Sequence, residues 1–225
     1  MNNHFYENGP NQITQKLKIA QESKNGDILA ELARSENESI RLAVAENRAT
    51  HPDTLAVLSE DKFAMVRMRV AMNQNTPTDV LKILARDRDS NVRAEIAYNI
   101  HTPAETLAEL ARSEDEYIRW KAAKNINISA ETLAELASDN DVDVRREVKG
   151  NPNTQAEALA QLTQIDREIM KKDINDALIS LSEKTSKVEY IAILDDIISI
   201  ANKIQKSIKD NEFDFDKGKK IKNVR

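Results

Sequence analysis

The sequence predicts an all-α solenoid, and three observations lead there. An arginine recurs at Arg41, Arg67, Arg93, Arg119 and Arg145, and an asparagine at Asn47, Asn73, Asn99, Asn125 and Asn151, always 26 residues on. A leucine pair three residues apart keeps the same step, at Leu29/Leu32, Leu55/Leu58, Leu81/Leu84, Leu107/Leu110, Leu133/Leu136 and Leu159/Leu162. The 225-residue chain is rich in Leu, Ala, Ile, Glu and Lys, with only four glycines and 4% aromatic residues. A fixed period of this size marks stacked repeats, each of which buries its apolar face only against its neighbours. So few glycines argue against the many tight turns of a sandwich or barrel.

Residues 1–28 read as a polar start and a cap. Residues 1–11 have no helical pattern and read as disordered. Gln12 to Ala20 carries Ile13, Leu17 and Ala20 on one side, which predicts a short helix out of register with the repeats. Asn25-Gly26-Asp27 reads as a turn, with Asp27 the expected N-cap of the next helix.

Residues 29–162 hold about five to six repeats without insertion or deletion. Each leucine pair predicts a first helix of about three turns. Thr76-Pro77 and Thr102-Pro103 mark two of its starts, and Ser129 takes the same slot later. Threonine can cap a helix there, and proline suits the first turn because its missing N–H would have no partner anyway. A second helix is expected from near Ile40, Val66, Val92, Ile118 and Val144. On a helical wheel Ile40, Arg41, Val44 and Ala45 share one arc, with Leu42, Ala43 and Glu46 opposite, and every copy obeys the same split. The recurrent arginine therefore sits within the buried arc.

A buried guanidinium needs partners. Asp61, Asp87 and Asp139 each lie six residues before an arginine, in the turn between the helices, and Ser35 and Ser113 take that place in other copies. Two readings follow: an Asp–Arg ladder tying turns to neighbouring helices, with Arg93 like the others holding a buried carboxylate, or a phosphate-binding column. The asparagine follows the second helix, where its tolerance of the left-handed conformation predicts a structural C-cap.

The pattern Val-Arg-x-x-Val/Ile-Ala-x-Asn-x-x-Thr-Pro followed by Leu-x-x-Leu-Ala resembles HEAT repeats, and more closely the bacterial leucine-rich repeat variant group. The resemblance covers Leu29 to Leu162. It implies a right-handed superhelix with the second helix of each pair on the concave side, and a protein-binding scaffold as the usual role. The 26-residue step is longer than that group's usual unit, and no cysteine cluster is present.

Beyond Leu162 the period stops. Residues 163–210 predict a helical hairpin: one arm from about Asp166 to Ser182, a connection at Glu183 to Lys187, and a second arm from Val188 to Ile208. The hairpin would cover the last repeat, or the second arm would dimerise as a short coiled coil. Residues 211–225 form a charged tail, with Phe213 and Phe215 among acids and then Lys217, Lys219, Lys220, Lys222 and Arg225.

Net charge is −5, so no global basic field draws the chain to nucleic acid or membrane. Without cysteine there is no thiolate metal site or disulfide. No apolar run has the length of a spanning helix, and the start lacks an apolar signal segment, which makes the cytoplasm the expected compartment. His4, His51 and His101 have no partner motif, and no phosphate loop or nucleophile elbow occurs. Asp139, Asp141 and Asp143 mimic the opening of a calcium loop, but Val144 and Gly150 stand where that loop needs Gly and Glu. These aspartates read as turn and cap residues. No catalytic residue, metal or cofactor is implied.

The expected function is non-enzymatic protein binding. Met68, Met72, Tyr98 and Trp120 fall on the arc that the wheel leaves exposed, followed by Lys124 and Arg146. Exposed apolar patches rimmed by charge mark binding sites. A partner segment would be anchored by Trp120 and Tyr98, with Lys124 and Arg146 favouring acidic residues. A HEAT-like nucleic-acid binder related to DNA-repair glycosylases would need a basic face. The column 43, 69, 95, 121 and 147, expected to be exposed, reads Ala, Arg, Glu, Lys, Glu instead. A HEAT-like lyase or chaperone for a pigment protein is the third reading.

Overall fold

The computed structural model describes residues 10–184, with 191, 194, 195, 197–199 and 202. The polar start at 1–9, the hairpin connection at 185–187, most of the second arm and the tail at 211–225 lie outside the described residues. The chain divides into two compact units, Met1–Ile165 and Asp166–Arg225.

The first unit is an all-α solenoid. It opens with α1 (Pro10–Glu22) and continues in pairs: α2 (Gly26–Leu32) and α3 (Glu38–Glu46), α4 (Pro52–Leu58) and α5 (Ala64–Met72), α6 (Thr78–Leu84) and α7 (Ser90–Tyr98), α8 (Ala104–Leu110) and α9 (Glu116–Lys124), α10 (Ala130–Leu136) and α11 (Val142–Gly150). The first helices have seven residues, two turns rather than three. Helices so short have no stability of their own. They persist because the leucine pair is buried, as in Leu55 and Leu58 or Leu81 and Leu84.

The second helices pack directly on one another, α3 on α5, α5 on α7, α7 on α9 and α9 on α11, while each first helix touches mainly the second helices beside it. The row of second helices is therefore the tighter, inner row. α1 packs on α3 and takes the place of a preceding second helix. Residues 40, 44 and 45 and their copies form the core with the leucines, except in the last repeat, where Lys149 replaces Ala45 and is exposed.

Three columns of polar side chains bind each repeat to the next. In the first, three of the five arginines reach forward. Arg41 donates from Nε and Nη2 to the Asp61 carboxylate at 2.5 and 3.1 Å, Arg67 to Asp87 at 2.6 and 2.8 Å, and Arg119 to Asp139 at 2.7 and 2.9 Å. Each pair is a two-pronged guanidinium–carboxylate fork, a strong and directional form of ion pair. The residue six positions before the arginine gives its backbone carbonyl: Ser35, Asp61, Asp87, Ser113 and Asp139 each accept from Nη1 at 2.7 to 2.9 Å. Burial works against ionisation of Asp61, Asp87 and Asp139 and is the largest single influence. The arginine hydrogen bond, a backbone N–H and the arginine charge together outweigh it, so all three carboxyls lie below their usual range. Two arginines have no carboxylate. Twenty residues after Arg93 stands Ser113, and twenty after Arg145 stands Ile165. The expectation of a buried acid on Arg93 is thereby corrected. The Nε of Arg145 is buried with no hydrogen-bond partner among the described residues.

In the second column each asparagine reaches back. Asn73 donates from Nδ2 to the carbonyls of Ala45 and Asn47 at 2.8 and 3.0 Å, and Asn125 to Ala97 and Asn99, both at 2.9 Å. Asn99 and Asn151 repeat the pattern, and Asn47 bonds Ala20 and Ser23. The Oδ1 atom accepts from the N–H two residues on, as from Asn75, His101 and Asn127. These asparagines do occupy the C-cap, but in extended backbone, φ −66 to −73° and ψ 124 to 131°, and no non-glycine residue among those described has positive φ. An extended cap lets one side chain close its own turn and bond the previous repeat; a left-handed cap was the wrong expectation. A parallel column repeats this at the surface, where Asn75 and Asn153 donate to the carbonyls of Arg48 and Ile126 at 2.7 and 2.6 Å, and Asn127 to that of Ile100.

The third column is threonine. Thr50, Thr76 and Thr102 donate from Oγ1 to the carbonyls of Val44, Val70 and Ile96 at 2.6 Å. Threonine thus closes the preceding helix rather than capping the next. Pro77 and Pro103 occupy the N-cap themselves, while Ser129 caps α10 through the Thr132 N–H. Asn25, not Asp27, caps α2, because its carboxamide reaches the N–H groups of Asp27 and Ile28. Asp139 belongs to the arginine column, Asp141 caps α11, and Asp143 pairs with Arg146.

α12 runs unbroken from Ala156 to Lys184. A separate arm starting near Asp166 was expected. No glycine or proline lies between Gln155 and Lys184 to stop the helix of the last leucine pair. In the second unit its described portion exposes Ile169, Met170 and Ile174.

Candidate functional site

The inner row of second helices carries the candidate surface. A wheel drawn for one isolated helix leaves positions 42, 43 and 46 open, but each second helix has another on either side. Position 43 and its copies become the stacking seam. Ala43 and Lys121 are buried and Arg69, Glu95 and Glu147 half-buried. This corrects the expectation of an exposed column there. Lys121 donates from Nζ to Glu95 at 3.4 Å, one repeat back, and lies over the Tyr98 ring at 4.3 Å and the Tyr117 ring at 5.3 Å. Position 42 is similarly enclosed except at Arg146, which is exposed. Ala94 is buried, and Leu42, Met68 and Trp120 pack partly buried against the core. Position 46 and its copies remain open, with Met72 47% and Tyr98 49% exposed. Two residues further on, Ile100 and Ile126 are 50% and 60% exposed. No periodicity argument singled out these isoleucines, because they fall in the turn after the helix.

Three hollows mark this surface. Glu46, Arg48, Arg69, Met72, Asn73 and Gln74 line one of about 290 Å³. Met72 and Gln74 also border the next, about 160 Å³, with Glu95, Tyr98, Asn99 and Ile100. The largest, about 580 Å³, lies between α9 and α11 and is lined by Glu116, Tyr117, Trp120, Asp141, Asp143, Arg146 and Glu147. There Tyr117 and Trp120 stack, ring centres 5.8 Å apart and planes 16° apart, and Lys124 lies 4.9 Å from the Trp120 ring centre.

Of the predicted contact residues, Met72 and Tyr98 share one hollow and Trp120 and Arg146 another. Met68 lines neither. Lys124 and Arg146 do not form the basic end that was expected. Arg146 pairs with Asp143 and is surrounded by carboxylates, because α11 brings acids to the same face.

No family model matches the chain, and no curated protein does. Among solved structures the chain is similar to a leucine-rich repeat variant described as having a novel repetitive structural motif, at 22% identity over 68% of this chain and 76% of that one, with a TM-score of 0.34. It is also similar to an engineered protein, at 17% identity over 68% of this chain and 90% of that one, with a TM-score of 0.40. The solenoid itself stands on this chain's own helix order and hydrogen bonds. No helix among the described residues is long and apolar enough to cross a membrane.

Proposed function

We propose that the chain is a non-enzymatic interaction module that holds a segment of a partner protein along its row of second helices. One observation carries this reading: Met72, Tyr98, Ile100 and Ile126 are 47 to 60% exposed on this row and belong to none of the three columns that hold the repeats together. Apolar and aromatic side chains left open beside charged ones are the composition that interfaces favour. The charges on the same row are mixed, Glu46, Glu95 and Glu147 beside Arg48, Arg69 and Lys124, which favours a peptide over a phosphate backbone.

Selection of peptides from a random display library against the full chain tests the proposal. Binders should be lost on Met72→Ser combined with Tyr98→Ser while cooperative melting is retained, because both side chains are about half exposed and neither belongs to a column that joins the repeats. A selection that yields no binder, or binders indifferent to both changes, overturns it.

A further inference from the structure

We infer that the hollow between α9 and α11 takes an arginine side chain of the bound segment. This deepens the reading of the row as a partner groove and rests on it. The hollow combines a stacked aromatic pair, Tyr117 and Trp120, with four carboxylates against one guanidinium. Asp141 is engaged as the cap of α11 and Asp143 with Arg146. Among the described residues no ion pair engages Glu116 or Glu147, so both carboxylates are available to an incoming cation. Lys121 already lies over Tyr98 and Tyr117, and Lys124 over Trp120, so the two uncommitted carboxylates, not a ring face, are what hold the incoming cation. A guanidinium fits better than an ammonium because it is planar, sheds water more readily and forks onto carboxylates. On the preceding helix of the same row, Tyr98 and the Ile100 that follows it are exposed and apolar. The occupant is therefore an extended segment with apolar residues and an arginine. The acidic segment suggested by Lys124 and Arg146 alone would meet Glu116 and Glu147 with like charge.

Trp120 is the chain's one tryptophan and reports directly on the site. Titration of the full chain with an acetylated, amidated hexa-arginine peptide should produce a saturable change in its fluorescence. Glu116→Gln with Glu147→Gln should weaken binding at least tenfold and leave the melting temperature in place. Asp79→Asn with Glu105→Gln, which remove the same charge from α6 and α8, should leave binding unchanged. Equal weakening by both double variants, no effect of the first, or tighter binding of hexaglutamate overturns the assignment. Display binders that depend on Met72 and Tyr98 yet carry no basic residue would leave the groove standing and remove only its arginine pocket.

Discussion

Arg67 holds Asp87 across a repeat boundary through two hydrogen bonds, 2.6 Å from Nε and 2.8 Å from Nη2. Both side chains are almost fully removed from solvent. Arg67→Ala should strand that carboxylate and cost on the order of 3–5 kcal/mol. Arg93 has only the Asp87 carbonyl, at 2.8 Å. Arg93→Ala therefore strands no charge and should cost about 1 kcal/mol. Thermal or urea melts of the two variants check the contrast, and equal losses would mean that the forks contribute little.

The vacancy opposite Arg93 can be filled. Ser113 occupies the place that Asp87 and Asp139 hold in neighbouring copies. Ser113→Asp should complete a fourth fork and stabilise the chain by about 1–2 kcal/mol, the contribution of hydrogen bonds to a charged group less the cost of desolvating the new carboxylate. In an Arg93→Ala background the same change should give nothing or destabilise. A double-mutant cycle measures the difference.

The period made the fold legible, and the arginine and asparagine columns with it. Their direction was not. A repeat alignment shows Asp61 six residues before Arg67, but it cannot show that this aspartate belongs to Arg41 of the previous copy. That offset comes from how one helix pair settles on the next. The wheel failed at positions 42 and 43 for a related reason: it describes a lone cylinder, whereas α5, α7 and α9 are each flanked by two others. Tyr98 and Met72 were found because position 46 points clear of both neighbours. Ile100 and Ile126 carried no helical phase to betray them.

The forks also set the acid limit. An unfolded aspartate titrates near about 3.9. Asp61, Asp87 and Asp139 titrate lower than usual in the fold. Their contribution is therefore complete above the unfolded value and is lost as pH falls through the folded values. The stability gap between the chain and a variant with all three changed to Asn should be flat from about pH 7 to 5 and close below about pH 4. A gap unchanged to pH 2 would contradict this.

Depth should separate the two asparagine columns. Asn125 uses two donors and one acceptor in a buried setting. Asn125→Ala leaves those backbone groups unsatisfied and should cost about 2–4 kcal/mol. Asn75 is solvent-exposed, and water can replace its bond to Arg48. Asn75→Ala should cost less than about 1 kcal/mol, and urea melts of the two variants would compare them.

Whole repeats can be removed, and the arginine column decides which removal is tolerated. Deleting Lys82 to Leu107 takes out one period and joins α6 to α8 in register. It discards Asp87, so Arg67 then faces Ser113 and two forks remain, Arg41–Asp61 and Arg119–Asp139. Deleting Ala108 to Leu133 also removes one period, but it discards Ser113. Arg93 then faces Asp139, and three forks remain in an unbroken row. Each deletion also brings like charges together on the stacking seam: Arg69 with Lys121 in the first, Glu95 with Glu147 in the second. Those penalties are of the same kind, so the forks decide. Both products should melt cooperatively, because each repeat contacts only its neighbours, and the second should melt at the higher temperature. Removing 20 residues from either place shifts the buried arc out of phase and should abolish cooperative melting. If the first product is the more stable, the forks do not control how repeats join; if the 20-residue deletion melts as sharply as the 26-residue one, the repeat is not the folding unit.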